Sequence, residues 1–265
     1  MKNTFSTKRL GKGTNEWSDA SYNICRGCEH GCLYCYAKAM RSRFDFPLRT
    51  PGNWERQQLR HGTKLGTDIK EEGVVMFPTT HDITPKFLPY AVTTIRNLLN
   101  AGNQVLIVSK PHLSVVRGLC REFAQNKKDI LFRFSIGALD RNLCAFWEPG
   151  APSPAARIRA LQFAQSKGFA TSVSVEPMLD SVDATVELAR VLDPYVTDTI
   201  WIGKMQRVPI KLNAHVPGFA AAREKVRHYQ TDSEILRLVD QLKGNSKIRW
   251  KDSIKAAIAD SDSKN

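Results

Sequence analysis

No apolar run in this sequence approaches the roughly 20 residues a helix needs to cross a bilayer, which excludes a helical membrane span. The opening stretch, residues 1–14, is polar and basic and has no apolar core of the signal-peptide kind, so no export is expected. Acidic residues are scarce, 26 against 39 Lys and Arg, for a net charge of +13. That imbalance favours a polyanionic partner, although many basic globular proteins bind none. Internal repeats and long low-complexity tracts are missing. Cysteine is unevenly spread: Cys120 and Cys144 stand alone, far from the other four. With no secretory signal expected and a long chain, that distribution argues against a disulfide framework.

What is present fits a globular protein, 42% apolar and 25% charged over 265 residues. Such a chain can bury one sizeable core, and α/β barrels of this length are ordinary single domains.

The concentrated signal is the run Gly27-Cys28-Glu29-His30-Gly31-Cys32-Leu33-Tyr34-Cys35-Tyr36, a C-x3-C-x2-C spacing. Three thiolates on one short loop can hold three irons of a [4Fe–4S] cube and leave the fourth open to a small molecule. Including Cys25, the run reads C-x2-C-x3-C-x2-C, a closed four-thiolate site for zinc or a ferredoxin-type cluster. Zinc ribbons separate their cysteine pairs by about 12 to 20 residues. Only three residues separate them here. The open three-thiolate cluster is the preferred reading, with Cys25 a spectator. The alternatives are an electron-transfer protein with a closed cluster and a nucleic-acid-binding module with a structural metal.

Short runs rich in Val, Ile or Phe, as in buried parallel strands, occur at 20–24, 73–78, 104–109, 130–136, 171–176 and 199–203. Helical patterns fill the gaps. Thr84-Pro85 starts one that Gly102 ends, and Ser153-Pro154 starts another that Gly168 ends. Residues 113–125 and 181–192 also read as helices, Thr231-x-x-Glu234 as a capping box, and 250–258 as a short helix. Alternating β and α elements predict a parallel sheet with right-handed crossovers. The expected fold class is α/β, a partial (βα)6 TIM-type barrel with its site at the carboxyl ends of the strands. The expected organisation is an N-terminal arm (1–19), a core (20–205) and a C-terminal helical extension packed on the core (206–265), with 260–265 disordered.

Seven basic residues, Lys38, Arg41, Arg43, Arg49, Arg56, Arg60 and Lys64, lie in one stretch with Phe44, Phe46 and Trp54 interleaved. Only Asp45 and Glu55 offset them. Basic side chains track phosphates and aromatics stack on bases, so this is a candidate DNA or RNA surface; a solvated, partly packed segment is the alternative.

Cys28-x-His-Gly-Cys32-x-Tyr34-Cys35-Tyr36-Ala37 resembles the signature of the radical S-adenosylmethionine (SAM) superfamily, and within it the spore photoproduct lyase-like branch. So do 105–110, 148–154 followed by Arg157, and 247–251; the resemblance covers residues 20–205 and this last segment. It implies a barrel of the radical SAM type and a [4Fe–4S] cluster on Cys28, Cys32 and Cys35. SAM would bind the open iron and be cleaved reductively to a 5′-deoxyadenosyl radical that abstracts hydrogen from a substrate. A nucleic acid or nucleotide substrate is expected, along with an electron donor such as flavodoxin or ferredoxin. An exposed cluster and free thiols imply a reducing, cytoplasmic setting. The resemblance places Tyr34 near the adenine and Lys110 on the SAM carboxylate or ribose, with Ser135 similarly placed on the next strand. Thr79, Thr80, His81 and Asp82 would lie near the amino group, and Glu176 beside the sulfonium. Glu148 and Arg157 are expected to pair structurally, and Tyr36 is weighed as core packing. Thr79 stands where spore photoproduct lyase has its hydrogen-returning cysteine, so that lyase chemistry is not expected.

Overall fold

The computed structural model of the chain describes residue 5, residues 13–206 and residues 208–263. Most of the 1–14 stretch and the last two positions of the 260–265 tail lie outside the described residues.

Seven strands form one parallel sheet: β1 (Ala20–Ser21), β4 (Val74–Phe77), β5 (Gln104–Ser109), β6 (Ile130–Ser135), β7 (Ala170–Val175), β8 (Ile200–Ile202) and β9 (Ile248–Trp250), in that spatial order. Between β1 and β4 a short antiparallel ribbon pairs β2 (Cys25–Arg26) with β3 (Gln58–Leu59). The helices are α1 (Tyr36–Arg41), α2 (Leu88–Asn100), α3 (Leu113–Glu122), α4 (Arg141–Trp147), α5 (Pro154–Ser166), α6 (Val182–Leu192), α7 (Ile210–Asn213), α8 (Phe219–Tyr229), α9 (Asp232–Leu242) and α10 (Asp252–Asp262). Among the described residues, no helix is long and apolar enough to cross a membrane.

Strand side chains alternate between two faces. Val75, Phe77, Val105, Ile107, Phe132, Phe134, Val173 and Ile202 pack against helical Ile95, Leu119, Leu161, Leu188 and Leu238 in the main core. Val74, Met76, Leu106, Leu131 and Trp201 face a smaller cluster that holds Trp17. Both faces are buried, which is why these strands read as unbroken apolar runs.

The six expected strands are present in a partial, unclosed barrel. Two differences have local causes. β1 stops at Ser21 because the chain leaves the sheet to form β2. The 250–258 helix begins at Asp252, because Ile248–Trp250 forms a strand paired with β8 (Ile200↔Ile248, Ile202↔Trp250). Three residues flanked by Lys247 and Lys251 are too short and too polar to read as a strand. α10 also continues through residues 260–262, expected to lack order. Ser153 and Ser181 cap α5 and α6, bonding Ala156 N and Ala184 N. Thr84 and Thr231 make no capping bond, and Glu234 pairs with Arg237 instead.

Residues 13–17 meet Lys251, the residue just after β9. Buried Lys251 donates to the Gly13 carbonyl at 2.6 Å and pairs with Glu16 at 2.8 Å. Its Nζ lies 4.2 Å from the Trp17 ring, which meets Trp201 edge-on. Arg133, on the inner face of β6, sits over both indoles and bonds Ser172 Oγ.

Candidate active site at the carboxyl ends of the strands

The cysteine loop is positioned by backbone. Cys28 N donates to the Trp54 carbonyl, Leu33 N to Trp147 and Gly150 N to the His30 carbonyl. Gly27 has φ +76°, and a Cβ there would lie 2.4 Å from the Trp54 oxygen. A Cβ on Gly150 would lie 2.1 Å from the Glu29 oxygen. The Glu148-Pro149-Gly150 segment is therefore a cradle for the loop, since only glycine permits that approach.

Cys28, Cys32 and Cys35 face one another closely enough to interact electrostatically. Burial pushes all three thiols up, Cys32 to about 12, and their mutual repulsion adds to this for Cys28 and Cys32. Three neighbouring thiolates would thus need a cationic centre to neutralise them, which bound iron would supply. Backbone N–H groups already point at sulfur: Lys38 N donates to Cys35 Sγ at 3.4 Å. The donor set fits a thiolate-bound cluster. Cys25 is different: it packs into the main core with Ile24, Val75 and Phe77. Among the described residues, no three His, Cys, Asp or Glu side chains converge to hold a single metal ion. A cube does not require that convergence, because each thiolate binds a different iron.

Tyr34, Lys110, Glu148 and Arg157 come together beside the loop. The buried Glu148 carboxylate accepts from the Tyr34 hydroxyl and pairs with Arg157. Lys110 Nζ lies 3.8 Å from Glu148 and 5.4 Å from the Tyr34 ring centroid. Burial pushes the Glu148 carboxyl up, but Lys110 and Arg157 outweigh it and hold it below the usual range. Arg157 also donates to the carbonyls of Pro152 (2.6 Å) and Ser135 (3.2 Å), tying the end of β6 to the same network. The Glu148–Arg157 pair expected from sequence is present.

Asp82 is an anchor. Its carboxylate accepts from Ser109 Oγ, Lys110 N and Ile83 N, and meets His30 Nδ1 at 3.2 Å. Burial alone raises the Asp82 carboxyl, but His30, Ser109 and Lys110 N–H hold it well below the ordinary range. His30 Nε2 lies 3.4 Å from His112 Nε2. Gln57 bridges the same loops, accepting from Glu29 N and donating to the Asp82 carbonyl.

Other expected positions are engaged elsewhere. His81 Nε2 accepts from Ile24 N at 3.1 Å and Nδ1 lies 3.1 Å from the Asp82 carbonyl, so neither ring nitrogen is left for a ligand. Burial pushes His81 down to about 4. Thr80 Oγ1 accepts from Arg60 at 3.2 Å, and Asn23 Oδ1 accepts from both Thr79 N and Thr80 N. Glu176 lies 3.7 Å from Lys251, within the lumen group that contains Glu16; burial pushes its carboxyl up against the pull of Lys251. Tyr36 is not core: it is 44% exposed and donates to the Thr79 carbonyl at 2.6 Å. In the basic stretch, Trp54 and Lys38 are buried and so do not offer a stacking face or a free charge.

Sequence reasoning missed Asn23, His30, Gln57, His112 and Asn213, which donates to the Leu33 carbonyl. Only His30, inside the cysteine motif, carried a local signal; the others acquire partners through long-range contact.

No family model matches the sequence. The "Uncharacterized protein ORF301" of Acidianus two-tailed virus is 28% identical over 174 residues, covering 62% of this chain and 57% of that protein. The chain therefore spans just over half the length of the curated relative it matches. The structure of spore photoproduct lyase complexed with dinucleoside spore photoproduct superposes with a TM-score of 0.56 at 15% identity, covering 93% of this chain and 78% of that one. Streptococcus suis SuiB bound to S-adenosylmethionine superposes with a TM-score of 0.53 at 13% identity, covering 87% and 49%. These likenesses are of fold. They bear out the expected partial barrel, a fold shared with spore photoproduct lyase and SuiB.

Proposed function

We propose that this chain is a radical SAM enzyme. Cys28, Cys32 and Cys35 would hold a [4Fe–4S] cluster whose fourth iron takes SAM. The observation that supports this most directly is the arrangement of those three thiols against a fold of that type, with Cys25 packed into the core. When bound, the cluster and SAM supply reductive cleavage of the sulfonium and a carbon-centred radical that abstracts hydrogen from substrate. The protein's own part is binding and orientation. Glu148 holds the Tyr34 hydroxyl and the Lys110 ammonium in one place, so that ring and charge present a fixed surface beside Cys32. Lys110 and Tyr34 are the side chains assigned to SAM. Ser135 closes the β6 end of that surface. Thr80, His81, Asp82 and Glu176 act as positioning residues, because their polar atoms are already engaged. The electron would come from an external donor such as flavodoxin or ferredoxin in a reducing, cytoplasmic setting.

The test is anaerobic reconstitution followed by incubation with dithionite and SAM. We expect 5′-deoxyadenosine, and a cluster EPR signal perturbed by SAM, in both the unaltered chain and Cys25→Ala. Zinc in place of iron, or loss of the cluster in Cys25→Ala, would overturn the reading.

A further inference from the structure

We propose that the face formed by α1 and the residues just after it binds single-stranded nucleic acid and leads it toward the mouth of the barrel. The surface stands without the enzymatic reading; the claim that the strand feeds a reaction rests on that reading.

Tyr36, Met40 and Phe44 are spaced four residues apart and are 44%, 47% and 86% exposed. Phe46 follows at 67%. Single exposed apolar side chains are ordinary, but four large ones within 11 residues form a patch. The patch starts at the mouth, because the Tyr36 hydroxyl bonds the Thr79 carbonyl beyond β4.

The charge on this face is one-signed. Asp45 and Glu55 are paired within the segment's own surroundings, to Arg26 and Lys38. Arg41, Arg43, Arg49, Arg56, Arg60 and Lys64 are exposed. Arg26, Arg41 and Arg60 line a shallow notch together with Cys25, Gly27, Trp54 and Thr80. Arg60 donates to Thr80 and to the Cys25 carbonyl, which fixes its guanidinium there. Burial and the charge of Arg41 both disfavour its cationic form, so an anion in the notch would relieve the repulsion. Arg49 lies 4.2 Å over the Phe46 ring and orients it.

Guanidinium groups bind phosphate in a planar, charge-assisted way, and exposed aromatic rings stack on unpaired bases. A duplex hides its base faces from such rings. A folded acidic protein would meet the arginines but has no base faces to stack on the exposed rings. A flexible strand can lay a phosphate over the rim of the notch, against the exposed Arg41 and Arg60, and bases on Phe44 and Phe46.

The experiment is fluorescence anisotropy with a labelled thymidine 12-mer, a uridine 12-mer and a 12-base-pair duplex, using the reconstituted protein without SAM or reductant. Because neither is needed, failure here is separate from failure of SAM cleavage. We expect a single strand to bind more tightly than the duplex. Arg41→Ala/Arg60→Ala should flatten the log–log salt slope by about 1.4, from roughly 0.7 per lost phosphate contact. Phe44→Ala/Phe46→Ala should weaken binding about five-fold or more for each base that no longer stacks. Arg41→Ala/Arg43→Ala serves if loss of the Arg60 contacts prevents folding. No binding, equal binding of strand and duplex, or indifference to the Phe substitutions would overturn the proposal. So would the same substitutions abolishing flavodoxin binding while no oligonucleotide binds.

Discussion

Replacing Glu148 by Ala removes the one carboxylate that Arg157, Lys110 and Tyr34 share. The ion pair at its centre lies out of solvent: Glu148 and Arg157 are 2% and 1% exposed. Removing one member of a buried ion pair costs about 3–5 kcal/mol, because the remaining charge has neither partner nor water. At about 2–4 °C per kcal/mol for a chain near this length, the thermal midpoint should fall by about 6–20 °C. The assay is thermal unfolding of the cluster-loaded protein at neutral pH. Adding Arg157→Met to Glu148→Ala should recover part of the loss, since the stranded cation goes with it. The acid limb carries the same signature. Glu148 is held below its ordinary range, so its contribution is present above the unfolded-state pKa and is lost as pH falls through the folded one. The variant should lose less stability on acidification than the unaltered chain. A midpoint within about 2 °C of the unaltered protein, or strictly additive losses in the double variant, would refute the reasoning.

Gly150→Ala tests the loop cradle: with a Cβ 2.1 Å from the Glu29 oxygen, the backbone must move. A cost of about 1–3 kcal/mol and lower iron per chain are expected, and normal iron content with normal stability would contradict the cradle. His81 tests the pH response. It is buried with its pKa pushed down to about 4, so the unfolded chain takes up the proton first as pH falls from about 6.5. Urea midpoints should show stability lost across that window, on the order of 3 kcal/mol, and His81→Gln should flatten this part of the profile.

Some of this was legible along the chain. Cys28, Cys32 and Cys35 are joined by so little backbone that their grouping is a covalent consequence of spacing. The six strands showed as apolar runs because both sheet faces are buried, and Ser153 showed as a helix start because the helix-end donor it satisfies is three residues away. Thr84 and Thr231 looked the same in sequence, yet their side chains make no capping bond. Aromatics in the basic stretch looked alike too, but Trp54 is 1% exposed and Phe44 86%. Burial depends on what the rest of the chain brings alongside.

From the sequence alone came the thiol group, the alternation that makes a parallel sheet, and the surplus of positive charge. These are local or summed properties, written into neighbouring residues or the whole composition. Tertiary structure decided the rest. It turned Cys25 into the core, placed Glu148 between Tyr34, Lys110 and Arg157 from separate elements, and recruited Ile248–Trp250 as a seventh strand. Each of those outcomes is a pairing between distant positions. Its energy depends on shared burial, which no short stretch of chain contains by itself.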